Sequence, residues 1–301
     1  MTRIIPSIWC NDTADDMAAL YTDSFPDARV VDSSRYPTEG LLDFQQPFAG
    51  KTLTIDLEIG GTRINLINGG PGVDPNPSIS FVLNFQPASD PQAREHLDAL
   101  WALLSDGGTV LMPLDEYPYS ARYGWLQDRF GVSWQFMLTR PDADARPFVV
   151  PSLMFSDENA RLAEPALQTY VALFPDSHRG TTARYPEDAE EGVAGSLMYA
   201  DALVAGTWLA AMDAPTPQGR TFDIAVSLIA TCADQDEIDR LWSVLSRYPD
   251  AEQCGWCRDA FGVSWQIVPE NMDALLKHPG AFDALMQMGR IIIADLVTPD
   301  A

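Results

Sequence analysis

Phe130-Gly131-Val132-Ser133-Trp134-Gln135 returns unchanged as Phe261-Gly262-Val263-Ser264-Trp265-Gln266. The match runs outward from both copies. Gly124-Trp125 and Asp128 correspond to Gly255-Trp256 and Asp259, and Leu100-Trp101 to Leu241-Trp242. Further upstream, Gly61-Thr62 matches Gly206-Thr207, Arg35-Tyr36-Pro37 matches Arg184-Tyr185-Pro186, and Phe25-Pro26-Asp27 matches Phe174-Pro175-Asp176. Ile5-Pro6-Ser7-Ile8 matches Val150-Pro151-Ser152-Leu153. So many matches in one order identify a tandem duplication. The copies span residues 1–141 and 147–269, with a polar linker over 142–146. A tail over 270–301 has no counterpart after the first copy.

Within each copy the hydrophobic period switches between strand and helix. Residues 4–10 form an apolar run, and 14–24 carry Met17, Leu20 and Tyr21 at helical spacing behind the capping cluster Asn11-Asp12-Thr13. Leu53, Ile55, Leu57 and Ile59 alternate with polar residues, Gly60-Gly61 makes a hairpin turn, and 63–67 returns. A strand over 78–86, a helix over 91–104 and three more strands complete the copy. Each copy thus reads as strand-helix-strand-strand-strand, twice over. The tail is expected to be helical over 272–277 and 281–294, split at Pro279-Gly280. The second copy is shorter before its Gly-Trp element, where the first carries the tyrosine-rich stretch 107–123.

Composition narrows the partners. The chain has 43 acidic and 19 basic side chains, a formal net charge of −24, with the acids scattered. Such a surface repels nucleic acid and anionic lipid. No apolar run approaches the ~18 residues of a spanning helix. The N-terminus reads as a strand rather than a secretion signal. Four unevenly spaced cysteines do not make a disulfide framework. A cytoplasmic location is the expectation. Cys254-Gly255-Trp256-Cys257 has the form of a redox or zinc motif, but its counterpart is Tyr123-Gly124-Trp125-Leu126, so Gly-Trp is the shared element.

The ordered motifs, Phe-Pro-Asp, Asn68-Gly69-Gly70-Pro71, Met112-Pro113-Leu114 and the Phe-Gly-Val-Ser-Trp-Gln strand, resemble the PhnB-like branch of the vicinal oxygen chelate superfamily. That branch carries the domain name demethylubiquinone methyltransferase-like. The superfamily also includes glyoxalases, extradiol dioxygenases and bleomycin-resistance proteins. The resemblance covers nearly the whole chain, once per copy. It implies an α+β fold of tandem glyoxalase-like domains, built from paired βαβββ modules that form curved mixed sheets around a concave pocket, here with a C-terminal helical tail. Single-copy relatives commonly dimerise, so the tandem implies a pseudo-dimer within one monomeric chain.

Metalloenzymes of the superfamily place His and Glu ligands on the first, fifth and last strands. The matching positions are Ile5 or Ser7 and Val150 or Ser152, then Ser80 and Ser227, then Gln135 and Gln266. None is His or Glu, and His96, His178 and His278 lie off the pocket strands. No cofactor is therefore predicted, with a divalent metal as the alternative. Nor does the glycine turn read as a methyl-donor site, because Pro75 and Pro77 forbid a helix after it.

Trp134 and Trp265 are expected in the core, which turns Gln135 and Gln266 toward the pocket. The candidate ligand-binding residues are Ser7, Ser80, Tyr117, Tyr119, Arg122, Gln135, Ser152, Ser227 and Gln266. Asp115-Glu116 is a candidate acid–base pair. Three functions fit: a metal-independent small-molecule binder, a glyoxalase- or dioxygenase-like enzyme with a divalent metal in at least one copy, and a resistance-type protein sequestering an aromatic compound.

Overall fold

The computed structural model describes residues 3–41, 45–189 and 194–297. The first module comprises β1 (Ile4–Cys10), α1 (Ala14–Ser24), β2 (Arg29–Arg35), β3 (Thr52–Ile59) and β4 (Thr62–Asn68). The second comprises β5 (Ile79–Phe85), α2 (Ala93–Leu104), β6 (Thr109–Tyr117), β7 (Ser120–Gln127) and β8 (Ser133–Leu138). The third comprises β9 (Val149–Phe155), α3 (Ala163–Leu173), β10 (His178–Arg184), β11 (Leu197–Val204) and β12 (Thr207–Asp213). The fourth has one strand fewer: β13 (Val226–Cys232), α4 (Gln235–Leu245), β14 (Trp256–Arg258) and β15 (Ser264–Pro269). The tail forms α5 (Met272–Leu275), α6 (Ala281–Met286) and α7 (Ile293–Val297).

The modules pair across the sequence copies. One sheet has seven strands in the order β14-β15-β13-β1-β4-β3-β2, so it joins the first module to the fourth. The other has eight, β10-β11-β12-β9-β5-β8-β7-β6, and joins the second to the third. Both seams are antiparallel pairs of leading strands, β1 with β13 and β5 with β9. Within each module the leading strand runs parallel to the last one.

Alternation along the strands sends one set of side chains to the helices and the other to the far face. Ile79, Phe81, Leu83, Trp134 and Phe136 join the main core, whereas Val82 belongs to a separate cluster on the opposite face. Helices α1 and α3 tie the sheets together. Helix α1 packs on β3 and β4, while its Tyr21 meets Trp134 of the other sheet edge-on, with ring centroids 5.4 Å apart. Helix α3 packs on β9, β11 and β12, and its Tyr170 meets Trp265 at 5.2 Å. Trp134 and Trp265 are fully buried, as expected.

Asp128 and Asp259 give the repeated strand its structural meaning. Asp128 accepts hydrogen bonds from Tyr21 Oη (2.7 Å), Trp134 Nε1 (2.9 Å) and the backbone N–H groups of Phe130 and Val132. Asp259 does the same with Tyr170 Oη (2.6 Å), Trp265 Nε1 (2.9 Å), Phe261 and Val263. Each carboxylate thus fastens a helix of one sheet to the last strand of the other.

Three expectations change. The Asn11-Asp12-Thr13 cluster provides no side-chain cap for α1; Asn68 Oδ1, at the end of β4, accepts from Ala14 N instead (3.2 Å). Asp213 caps α3 from the end of β12 in the same way. The fourth module lacks the counterpart of β6 and reads βαββ. The helix expected over 281–294 is broken between Met286 and Ile293, because the chain there pairs with the exposed backbone at the start of β14. Cys254 N donates to Met288 O (2.7 Å) and Gly255 N to Gly289 O (2.8 Å). No helix among the described residues is long and apolar enough to cross a membrane.

Candidate functional site

On the far face of each sheet, strand register aligns a row of polar residues. In the seven-stranded sheet the row is Asp56, Asn65, Ser7 and Ser227, with Gln266 beside it on β15. In the eight-stranded sheet the equivalent row is Asp201, Ala210, Ser152 and Ser80, with Gln135 beside it on β8. Each row crosses the seam between leading strands, so both sites draw on both copies. The nine candidates therefore divide, with Ser7, Ser227 and Gln266 in one cup and Ser80, Ser152, Gln135, Tyr117 and Tyr119 associated with the other.

Arg122 belongs to neither. Its neighbour Tyr123 faces the cup, so alternation turns Arg122 outward to α2. There Nε donates to Asp98 Oδ1 at 2.8 Å and Nη1 to Leu114 O at 3.3 Å.

The cup of the seven-stranded sheet is internally satisfied. Ser7 Oγ donates to Asn65 Oδ1 (2.8 Å), and Asn65 Nδ2 donates to Asp56 Oδ1 (2.6 Å). Gln266 Nε2 donates to Ser227 Oγ (3.0 Å). Burial raises the Asp56 carboxyl above its ordinary range, and Asp273 of α5 adds to that shift. The tail also reaches the first module directly, with Gln45 Nε2 3.9 Å from Met286 Sδ. Met286 Sδ lies 3.7 Å from Cys254 Sγ as well, so α6 bridges the two ends of this sheet. Cys254 and Cys257 are free thiols, and burial raises Cys254 to about 11. That is the reverse of an activated thiol.

The cup of the eight-stranded sheet differs at three places. First, Tyr123 stands where the other cup has Cys254. Its hydroxyl donates to Gln135 Oε1 (2.8 Å), and Gln135 Nε2 donates to Ser80 Oγ (2.8 Å). Second, Ala210 replaces Asn65. Ser152 Oγ consequently has no hydrogen-bond partner, although the residue is fully buried. Third, the aspartate is engaged elsewhere. Asp201 accepts from Arg146 Nε (2.7 Å), Arg146 Nη2 (3.2 Å), Thr181 N (2.7 Å) and Tyr199 Oη (3.2 Å). The Arg146 guanidinium also stacks on Trp208, 3.9 Å from the ring centroid. Gly180 makes room for this cluster, since a Cβ there would overlap Asp201 and Trp208.

Around this floor the walls are apolar and aromatic. Val82, Val150 and Ala210 pack against Met137, Tyr199 and Trp208. The stretch 109–127 is a hairpin of β6 and β7, which brings the rings of Tyr117, Tyr119 and Tyr123 within 5.1–5.8 Å of one another. Burial, then Tyr117 and Tyr185 of the third module, push Tyr119 up to about 12. Burial likewise raises Tyr123, so the Tyr119 and Tyr123 phenols stay protonated at neutral pH and can donate hydrogen bonds. Asp115 and Glu116 are exposed on β6, away from the floor. Trp208 also lines a cleft of about 650 Å³ between the sheets, with Thr62, Arg63 and Thr207.

Neither cup offers a metal-binding donor set. The facing ligand positions carry Ser or Gln, their row neighbours Asn65 and Ala210 add no anion, and the one carboxylate per row is already held by neighbouring donors. Among the described residues there is no group of three or more His, Cys, Asp or Glu placed to hold an ion. A resident divalent cation requires imidazole or several anionic oxygens, and these residues do not fit it. His178 opens edge strand β10 and contacts Trp208 edge-on. The glycine turn after β4 is equally unsuited to a methyl donor. A Cβ on Gly69 would overlap the Trp9 indole, whose Nε1 donates to Gly70 O (2.7 Å), and the next element is strand β5.

Comparison with known proteins agrees with this architecture. Maize (Zea mays) glyoxalase I is similar in fold, with a TM-score of 0.52 and 13% identity over 91% of this chain and 94% of that one. A PhnB protein from Bacillus cereus, described as a 3-demethylubiquinone-9 3-methyltransferase, is 26% identical over 45% of this chain and 98% of its own, with a TM-score of 0.38. No curated protein matches the chain. The family model described as 3-demethylubiquinone-9 3-methyltransferase matches twice, over residues 2–137 and 147–268, and the chain belongs to that PhnB-like family of the vicinal oxygen chelate superfamily as a tandem duplicate.

Proposed function

We propose that this protein binds a small aromatic molecule in the cup of the eight-stranded sheet, without a resident metal. The observation that carries this reading is the buried, unpartnered hydroxyl of Ser152. A buried hydroxyl left unpaired costs about 1–3 kcal/mol. Its counterpart Ser7 is paired with Asn65, so the two cups are not duplicates in chemistry. Tyrosines and Trp208 around the floor supply flat apolar surface with polar tips, the make-up of a small-molecule site. A resistance-type role, sequestering an aromatic compound, is the biological form that these walls favour.

The reading is tested by calorimetric titration of the full chain with phenol, indole and toluene. Saturable binding of at least one is expected. Gln135→Ala is expected to weaken it at least fivefold and Gln266→Ala to leave it within twofold, because Gln266 serves the cup bridged by the tail. Binding of none of the three, or equal loss in both variants, would sink the assignment.

A further inference from the structure

We infer that the eight-stranded cup selects an uncharged ligand whose carbonyl oxygen accepts the hydrogen bond of Ser152; this rests on the reading of that cup as the ligand site. The molecule contains its own template for the interaction. Asp56-Asn65-Ser7-Ser227 and Asp201-Ala210-Ser152-Ser80 are equivalent rows at equivalent register. In the first, the serine hydroxyl donates to a carboxamide oxygen at 2.8 Å. In the second, the carboxamide is cut back to the methyl of Ala210 and the serine is left without an acceptor.

Charge sets the class of acceptor. Asp201 is 2% exposed and lies in the same row as Ser152, one strand beyond Ala210. Arg146, the cation nearest that carboxylate, is committed to it through two bonds. Among the described residues no second cation is bonded to this row, and Asp201 repels a carboxylate ligand. An ammonium ligand finds Asp201 already carrying Arg146, Thr181 and Tyr199 donors. A neutral carbonyl oxygen is the acceptor that meets neither obstacle. The body of the ligand is planar and apolar, because Val82, Val150, Tyr199 and Trp208 surround Ala210. Met137, Tyr199 and Trp208 are only partly buried and pack against the same cluster.

The test uses benzamide, toluene and benzoate as probes against the full chain, with dissociation constants from calorimetry or NMR titration. Benzamide is expected to bind at least tenfold more tightly than either of the others. Ala210→Asn places the missing carboxamide in the chain itself, and is expected to weaken benzamide at least tenfold. Should that variant fail to fold, Ser152→Ala carries the test alone. It removes the orphan hydroxyl at little change of shape, and is expected to level benzamide with toluene while raising the melting temperature. Equal binding of benzamide and toluene by the wild type, the result of a buried water only at Ser152, would overturn the inference while leaving the cup an aromatic site. Benzamide binding unchanged by Ser152→Ala would also overturn it. Failure of all three probes would overturn the inference, while the phenol and indole titrations decide separately whether the reading beneath it stands.

Discussion

Asp128 and Asp259 carry more of the fold than any other polar residues described above. Each takes two backbone N–H groups, one indole and one phenol, and the bonds from the indole, the phenol and the second N–H are buried. Truncation to alanine strands all four donors, and a buried donor left unsatisfied costs about 1–3 kcal/mol. Asp128→Ala or Asp259→Ala is therefore expected to destabilise the chain by at least ~3 kcal/mol, read as a lowered urea midpoint; a loss within ~1 kcal/mol would contradict the clasp. Protonation bears on the same carboxylate. Burial raises Asp259 to about 6, against its four donors, whereas the unfolded carboxyl titrates near ~3.9. The native state thus holds a proton that the unfolded chain has released. The stability linked to that proton is fully present below pH ~4 and is lost as pH rises through about 6. Urea unfolding of wild type and Asp259→Asn from pH 4 to 7 checks the sign. The wild type's stability relative to the variant is expected to fall between pH 4 and 6 and then level off, and a pH-independent difference would refute it.

At the scale of elements, the fourth module solves a problem the other three do not have. With no strand in the place of β6, the backbone at Cys254 and Gly255 would face solvent, and the groove beside α4 would lie open. Met288 and Gly289 accept the two N–H groups, Ile291 O accepts from Gln235 Nε2 of α4, and the fully buried Ile291 side chain closes the groove. Ile291→Ala leaves a cavity, and the expected loss is roughly 2–5 kcal/mol, measurable as a lower melting temperature. A loss below ~1 kcal/mol would show the tail to be an appendage. This region also marks where reading the chain as a string stops working. The repeat, the hairpin at Gly60-Gly61, the buried Trp134 and Trp265 and the inward turn of Gln135 and Gln266 all follow from local period and from comparing the copies. Asp128 and Asp259 stand out in the sequence only as a repeated letter, and their role depends on Tyr21 and Tyr170, more than eighty residues away in sequence. The tail's apolar spacing is helical through 294, and only the backbone bonds it makes at the start of β14 explain why the helix breaks after Met286. The tyrosines around Arg122 point to a place in the site, but strand alternation sends adjacent residues to opposite faces.

At the scale of the whole molecule, the sequence copy is not the unit that closes a sheet. A repeat records which segments are alike and says nothing about which of them pair. Here β1 pairs with β13 and β5 with β9, so both seams run between the copies, and Thr62 Oγ1 to Val149 O (2.9 Å) and Thr207 Oγ1 to Ile4 O (2.8 Å) cross-tie them again. A fragment of residues 1–141 would leave the leading edges of β1 and β5 unpaired, and each is a template for another strand. Its own second copy offers matching edges, because the seam it would form is between two equivalent leading strands. The fragment is therefore expected to be a homodimer, and the full chain, whose edges are met internally, a monomer near its 33.1 kDa mass. Co-expressing residues 1–141 with 147–301 is expected to give a 1:1 complex that survives size-exclusion chromatography. Multi-angle light scattering on the three preparations decides the matter. A folded monomeric 1–141 fragment, or two halves that elute apart and folded, would show that the seams are not what holds the copies together.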